Sequence, residues 1–328
     1  MTACPAPAEV GIFSPATSTR RRHLLGLEGL MRDRIVALLD AAARYRERLR
    51  AGRFASDALR GFAVCNAFFE DSTRTRISFE LAEQRLGAFH VTFGEAGTSL
   101  NKGETLLDTL RVVTSMRVDI VVIRHRSAGA PHYLANNLDA SVVNAGDGEH
   151  EHPTQGLLDL MTLRDAWHGR FEGRRIAIVG DIAHSRVARS AMVGLEAMGA
   201  SVTVCGPATL MPADVEALGC DVAPTIEDAL EGADAVMALR LQRERMERGL
   251  LPSSGEYARV WGVNARRVKR MKPDAVVMHP GPMNRGIEIT PDVADDGRSV
   301  VFDQTANGIA VRCAVLAWCA TGDAGAVA

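Results

Sequence analysis

The chain is expected to fold as an α/β protein of two domains, each a parallel sheet flanked by helices, with long helices joining them. Three observations predict this. The 328 residues, 47% of them hydrophobic, suit two domains of roughly 150 residues better than one core. Short apolar runs alternate with helical patterns, the order from which covered parallel sheets are built. A helical stretch at 153–167 falls midway along the chain, where it would link the halves.

The first element is a long amphipathic helix over 27–50, in which Leu30, Ile35, Leu38, Leu39 and Ala42 recur at helical spacing. Strands at 62–69, 89–93, 120–123 and 142–144 alternate with helices at 73–86, 104–116 and near 130–137. Leu157, Leu158, Leu160, Met161 and Leu163 make one wide apolar face on the linking helix. A second series follows, with strands at 175–179, 201–204, 221–223, 235–239 and 275–278 and a closing helix from about 308 to 320. The expected division is an extension over 1–22, a first domain over 23–152, a second over 153–305 and a C-terminal helix over 306–328 that returns to the first. The extension is rich in Ala, Pro, Ser and Thr, with no apolar run behind Arg20, Arg21 and Arg22 to serve as a signal-peptide core, and is expected to be disordered.

Composition excludes several classes of function. The 38 basic and 40 acidic residues balance to a net charge of -2, which leaves no broad cationic surface for nucleic acid or membrane, so any anion site is local. No run of ~18 apolar residues is present to span a bilayer. Cys4, Cys65, Cys205, Cys220, Cys313 and Cys319 include no C-x-x-C pair; they read as reduced thiols of a cytosolic protein, not as zinc ligands.

The chemistry concentrates at strand ends. Ser72-Thr73-Arg74-Thr75-Arg76 stands where a strand gives way to a helix, so unpaired N–H groups, three hydroxyls and the Arg74 fork make a phosphate cradle. The plainer alternative is a Ser72 or Thr73 helix cap, with the arginines paired to Glu80 or Glu83. Ser99 and Lys102 lie on a loop before Gly103 that resembles a mobile anion-binding loop, or is an ordinary solvated one; the order of a Walker A loop is absent. Arg124 ends another strand, and Gly146 to Gln155, which includes His152-Pro153-Thr154-Gln155, follows a third. Thr75, Arg124 and His152 have the chemistry to receive the negative charge of a tetrahedral intermediate. His150 and His152 with Glu149 and Glu151 admit a metal-hydrolase reading, but the other histidines form no ligand cluster with them in sequence.

In the second half, Gly180-Asp181-Ile182-Ala183-His184-Ser185-Arg186 holds only one glycine of a dinucleotide fingerprint, so NAD binding is not expected, and Arg186 suits a carboxylate. Arg240 and Gln242 follow a strand, where an arginine fork again fits a carboxylate, whereas Arg243 and Arg245 read as solvated. His279-Pro280-Gly281-Pro282 demands a special turn, with a cis peptide before Pro282 as one solution. The turn is either purely structural or presents backbone carbonyls to a ligand.

Taken in order across 62–289, S-T-R-T-R-x-S-F-E, S-L-x-K-G-E, R-H, G-D-G-x-x-x-H-P-T-Q, G-D-x-x-H-S-R-V, L-x-x-Q-R-E-R and H-P-G-P-M-N-R-G resemble the aspartate carbamoyltransferase branch of the aspartate/ornithine carbamoyltransferase family. The ornithine branch carries H-P-C-Q and a cysteine-bearing H-C-L-P turn, and neither cysteine is present here. The resemblance implies carbamoyl transfer from carbamoyl phosphate to L-aspartate in pyrimidine biosynthesis, in the cytoplasm, without a metal or organic cofactor. It implies that Ser72, Thr73, Arg74 and Thr75 hold the phosphate, and that Arg124, His152 and Gln155 hold the carbamoyl end. Arg186, Arg240 and Gln242 would take the aspartate carboxylates, with the Gly281 and Pro282 carbonyls near the amine. Ser99 and Lys102 would reach in from a neighbouring subunit of a homotrimer, with regulatory or dihydroorotase-like chains as further partners. Gly281 departs from the leucine of some relatives, which leaves a backbone role intact and a side-chain role in doubt.

Overall fold

The computed structural model describes residues 21–52, 54–94, 103–241 and 253–324. The first half contains α1 (Arg32–Arg50), β1 (Ala63–Phe68), α2 (Thr73–Leu86), β2 (Phe89–Gly94), α3 (Leu106–Ser115), β3 (Ile120–His125), α4 (Ala130–Ala135) and β4 (Ser141–Asp147). Its strands are all parallel, in the order β2-β1-β3-β4. Helices cover both faces, so β1, β3 and β4 are buried almost throughout, the reason they read as unbroken apolar runs. Edge strand β2 differs: Phe89 and Val91 are exposed.

The second half contains α5 (Pro153–Ala166), β5 (Arg175–Val179), α6 (Arg186–Met198), β6 (Ser201–Cys205), β7 (Asp221–Val222), α7 (Ile226–Leu230), β8 (Ala235–Ala238), α8 (Ser254–Trp261), α9 (Ala265–Val268), β9 (Val276–Met278), α10 (Pro291–Ala294) and α11 (Val301–Thr321). This sheet is parallel too, ordered β7-β6-β5-β8-β9. Each sheet reverses its winding direction once, beside β1 in the first and beside β5 in the second. The carboxyl ends of strands at such switch points open a crevice for ligands.

The two-sheet α/β fold agrees with the sequence expectation, with three differences at helix ends and the N-terminus. Helix α1 starts at Arg32 rather than 27, because the backbone N–H groups of Leu27 and Glu28 donate to the Glu151 carboxylate at 2.8 and 3.1 Å and hold that stretch as a loop. Helix α11 starts at Val301 rather than 308 and runs through Asn307-Gly308. There the glycine leaves room for Arg312, whose Nη1 would lie 2.6 Å from a Cβ at 308, while Asn307 Nδ2 donates to Thr162 Oγ1 at 3.0 Å. Finally, Arg21 pairs with Asp139, so the extension does not reach residue 22. Residues 1–20, on which the disorder expectation falls, lie outside the described residues.

Helix α11 packs against α1, α2 and α5. Cys65, Cys205, Cys313 and Cys319 are buried free thiols, and burial pushes each up to about 12, leaving them protonated and unreactive. Among the described residues no helix is long and apolar enough to cross a membrane.

Candidate active site

A cavity of about 530 Å³ opens where the carboxyl ends of the two sheets meet. From the first sheet, Ser72, Thr73, Arg74 and Thr75 line it at the start of α2. Ser72 is the N-cap residue but makes no capping hydrogen bond through its side chain, and the first turn holds no acidic residue. By contrast, the Ser185 hydroxyl at the corresponding junction of α6 is spent on Ala188 N–H, at 3.1 Å. The α2 terminus therefore keeps its hydroxyl, N–H groups and partial positive charge for an anion. Arg74 faces the cavity, while Arg76 sits 4.0 Å from Glu80. Burial, and then the nearby Arg240 cation, pull the Arg74 pKa below its ordinary value, a cost that an anion would relieve. Glu83, the other suggested arginine partner, is buried and accepts from Asn66 Nδ2 at 2.8 Å.

Arg124, at the end of β3, donates to Ala145 O at 3.1 Å and to Glu70 Oε1 at 2.9 Å. Arg186 opens α6 and grips the same carboxylate with both terminal nitrogens, Nη1 to Oε2 at 2.9 Å and Nη2 to Oε1 at 2.6 Å. Glu70 thus occupies two arginines with the fork geometry that recognises a carboxylate. Arg240, beyond β8, and the His279-to-Pro282 turn beyond β9 complete the wall. The Gly281-Pro282 peptide is cis. Gly281 has φ +65°, a backbone conformation that favours glycine, and the tip of the Arg74 guanidinium lies against its bare Cα.

His152 caps α5 and is buried, with its backbone N–H on Ser190 Oγ at 2.9 Å. Burial first, then Arg124, Arg186 and Arg312, drive its pKa well below the usual value, so the imidazole is neutral. A ¹⁵N-histidine NMR titration is expected to find His152 neutral at pH 7 with its midpoint below the ordinary histidine value, and a midpoint at or above 6.5 would contradict the geometry. Because the folded pKa is depressed, the unfolded chain takes up this proton first, and the site subtracts from stability as pH falls below about 6.5. His150 points elsewhere, with Nδ1 3.2 Å from Asp147 Oδ2. The two groupings suited to a cation among the described residues, His132 with Asp147 and His150, and Glu28 with His150 and Glu151, both leave out His152.

Gln155, on the first turn of α5, also lines the cavity. Ser99, Lys102 and Gln242 lie outside the described residues. Sequence reasoning missed Glu70, Gln304 and Arg312, all of which line the cavity. Arg312, its pKa pushed down to about 10 by burial, stacks 5.0 Å above the Phe79 ring. The available signal was a lone arginine within an otherwise apolar stretch of helix.

Residues 22–165 match the family model described as the aspartate/ornithine carbamoyltransferase carbamoyl-P binding domain, and residues 172–319 match the Asp/Orn binding domain of the same family. The chain belongs to the aspartate/ornithine carbamoyltransferase family. It is 53% identical over 298 residues to the aspartate carbamoyltransferase catalytic subunit of Myxococcus xanthus, covering 91% of this chain and 99% of that one. With the catalytic subunit of Sorangium cellulosum it shares 55% over 295 residues, 90% and 92% of the two chains. Among solved structures it resembles aspartate transcarbamoylase of Trypanosoma cruzi with carbamoyl aspartate and phosphate (TM-score 0.81, 31% identity, 93% and 98% covered). The ornithine carbamoyltransferase of Pyrococcus furiosus is nearly as similar in shape (TM-score 0.80, 30% identity, 92% and 98% covered). Solved structures named for aspartate and for ornithine are thus about equally similar to this chain in backbone.

Proposed function

We propose that this chain transfers the carbamoyl group of carbamoyl phosphate to the amine of L-aspartate, giving N-carbamoyl-L-aspartate and phosphate. The observation that carries the reading is one cavity with an anion cradle on one wall and Arg186 and Arg240 on the other. These are the complements of a phosphate and of a dicarboxylate. Residues 23–152 with the helix 306–328 form the carbamoyl-phosphate half, and 153–305 the aspartate half.

Ser72, Thr73, Arg74 and Thr75 bind the phosphate. Thr75, Arg124 and the neutral His152 direct donors at the carbonyl oxygen, and Gln155 holds the carbamoyl amino group. Arg186, Arg240 and Gln242 take the aspartate carboxylates, beside the Gly281 and Pro282 carbonyls. The uncharged amine attacks the carbonyl carbon, the C–O bond to phosphorus's oxygen breaks, and the departing phosphate takes the electron pair and the amine proton. Ordering two small substrates is worth ~7–11 kcal/mol in a favourable case, and each donor to the oxyanion ~3–4 kcal/mol. Glu70 has to yield Arg186 before an aspartate carboxylate can replace it. The mechanism calls for no metal or organic cofactor, and it belongs to cytoplasmic pyrimidine biosynthesis.

The active unit is a homotrimer in which Ser99 and Lys102 serve the neighbouring subunit's site. Support comes from edge strand β2, where Phe89 is 72% and Val91 56% exposed beside Ile77 and Leu81 of α2, an apolar edge that invites a partner. The Ser99 and Lys102 segment follows β2 directly in sequence. Val91→Asp is expected to reduce the mass in light scattering from trimer to monomer and to abolish turnover. An active monomer would rule out the shared site.

The test of the function is carbamoylation of L-aspartate and L-ornithine in parallel, with chelator present. Turnover of aspartate alone supports the proposal, whereas turnover of ornithine overturns it.

A further inference from the structure

Asp159 lies on α5 one turn beyond Gln155, is 2% exposed, and has no part in the mechanism above. Its Oδ1 accepts from Gln155 Nε2 at 3.0 Å and from Gln304 Nε2, on α11, at 2.7 Å. Gln304 Oε1 accepts from the His279 backbone N–H at 2.9 Å. His279 Nδ1 accepts from Gly281 N–H at 2.8 Å, which puts the ring proton on Nε2, 3.1 Å from Glu288 Oε1. One chain of hydrogen bonds thus joins Gln155 to the turn that carries Gly281 and Pro282.

A carboxyl oxygen that carries no proton only accepts hydrogen bonds, and Asp159 Oδ1 receives two. Two amides that meet on it must both present their NH₂ groups, which sends both carbonyl oxygens the other way. For Gln304 that direction is the His279 N–H, and for Gln155 it is the cleft. The amino group of carbamoyl phosphate is a donor and needs an acceptor there. We propose that Asp159 is a positioning residue that turns Gln155 Oε1 into the cleft to accept from the carbamoyl amino group and, through Gln304, sets the turn that meets aspartate. The inference rests on the carbamoyl-transfer reading. Burial raises the Asp159 pKa to about 7, and the hydrogen bonds from Gln304 and Gln155 act against that rise, so these contacts stabilise the acceptor form.

The test uses the full chain with Asp159→Leu, which keeps the volume but removes the oxygen on which both amides meet. Without that acceptor nothing holds the Gln155 NH₂ away from the cleft, and the amide no longer presents a fixed carbonyl oxygen to it. Calorimetry is expected to give a carbamoyl phosphate Kd about tenfold weaker, with the Kd of inorganic phosphate unchanged because phosphate meets only the cradle. Gln155→Ala should weaken carbamoyl phosphate similarly, and the double variant no further. Gln304→Ala, which leaves Asp159 with Gln155, should spare carbamoyl phosphate binding and raise the KM for aspartate about tenfold; it keeps the inference open to refutation if Asp159→Leu fails to fold. An unchanged carbamoyl phosphate Kd, a parallel weakening of phosphate, or additive effects in the double variant would each overturn it. So would a wild-type chain that binds carbamoyl phosphate no better than phosphate. Wild-type turnover of aspartate is measured alongside, and its absence with carbamoyl phosphate binding intact counts against the choice of acceptor alone.

Discussion

Arg74→Ala is expected to lower kcat by about 10³-fold, the upper range for losing one preorganised donor to developing charge, while the KM for aspartate moves only a few-fold. The reasoning starts from where the guanidinium lies. It enters the cavity at the α2 N-terminus, packs against the bare Gly281 backbone and is held below its ordinary pKa by burial and by Arg240. A cation in such surroundings gains most when an anion arrives, and more when that anion gathers charge as a leaving group. Arg74→Lys should recover only part of the rate, because an ammonium is a point charge without the planar fork. The melting temperature should stay level or rise, since the residue is maintained against repulsion. Steady-state kinetics showing less than about tenfold loss would remove Arg74 from the departing phosphate.

The second large effect is expected at Arg186, where Arg186→Ala should raise the KM for aspartate by about 10²-fold or more, in line with ~2–5 kcal/mol for a buried, hydrogen-bonded charge partner. It should also destabilise the fold. Glu70 would lose its two-pronged partner and keep Arg124, and breaking a buried pair on one side costs about 3–5 kcal/mol; the 18% exposure of the Glu70 side chain argues for the lower end. The double variant with Glu70→Gln separates the two consequences. Its melting temperature should recover towards wild type while the aspartate KM stays high. If the KM recovered as well, Arg186 would be serving Glu70 and not the substrate.

These arginines also mark how far the sequence could be read. Buried parallel strands announce themselves as apolar runs, and the α2 start was legible because strand, hydroxyls and arginines are contiguous. What could not be read depends on distant partners. Glu70 meets Arg124 and Arg186 across 54 and 116 residues, and local pattern says nothing of such a meeting. The late start of α1 depends on Glu151, more than a hundred residues away. Asn307-Gly308 has the appearance of a helix end, yet it lies inside α11, where Asn307 bonds to Thr162 and the bare Gly308 leaves room for Arg312. Nothing in the local pattern marks Asp159, whose partner Gln304 reaches it only through the packing of α11 on α5.

The packing of α11 on α1 and α2 has a consequence for synthesis on the ribosome. Arg312 covers Phe79, and Cys313 Sγ reaches the carbonyl of Ala82 at 3.9 Å, so the half that emerges first is roofed by a segment that emerges only after the whole second sheet. At roughly 5–20 residues per second, the stretch from α5 to the end of α11 takes on the order of 10–30 s to make. Once β9 has been made the second half has its whole sheet in hand, while Phe79, Ala82 and Leu86 still wait for their cover. The order of folding is thus expected to run against the order of translation, with the half that is made second closing first.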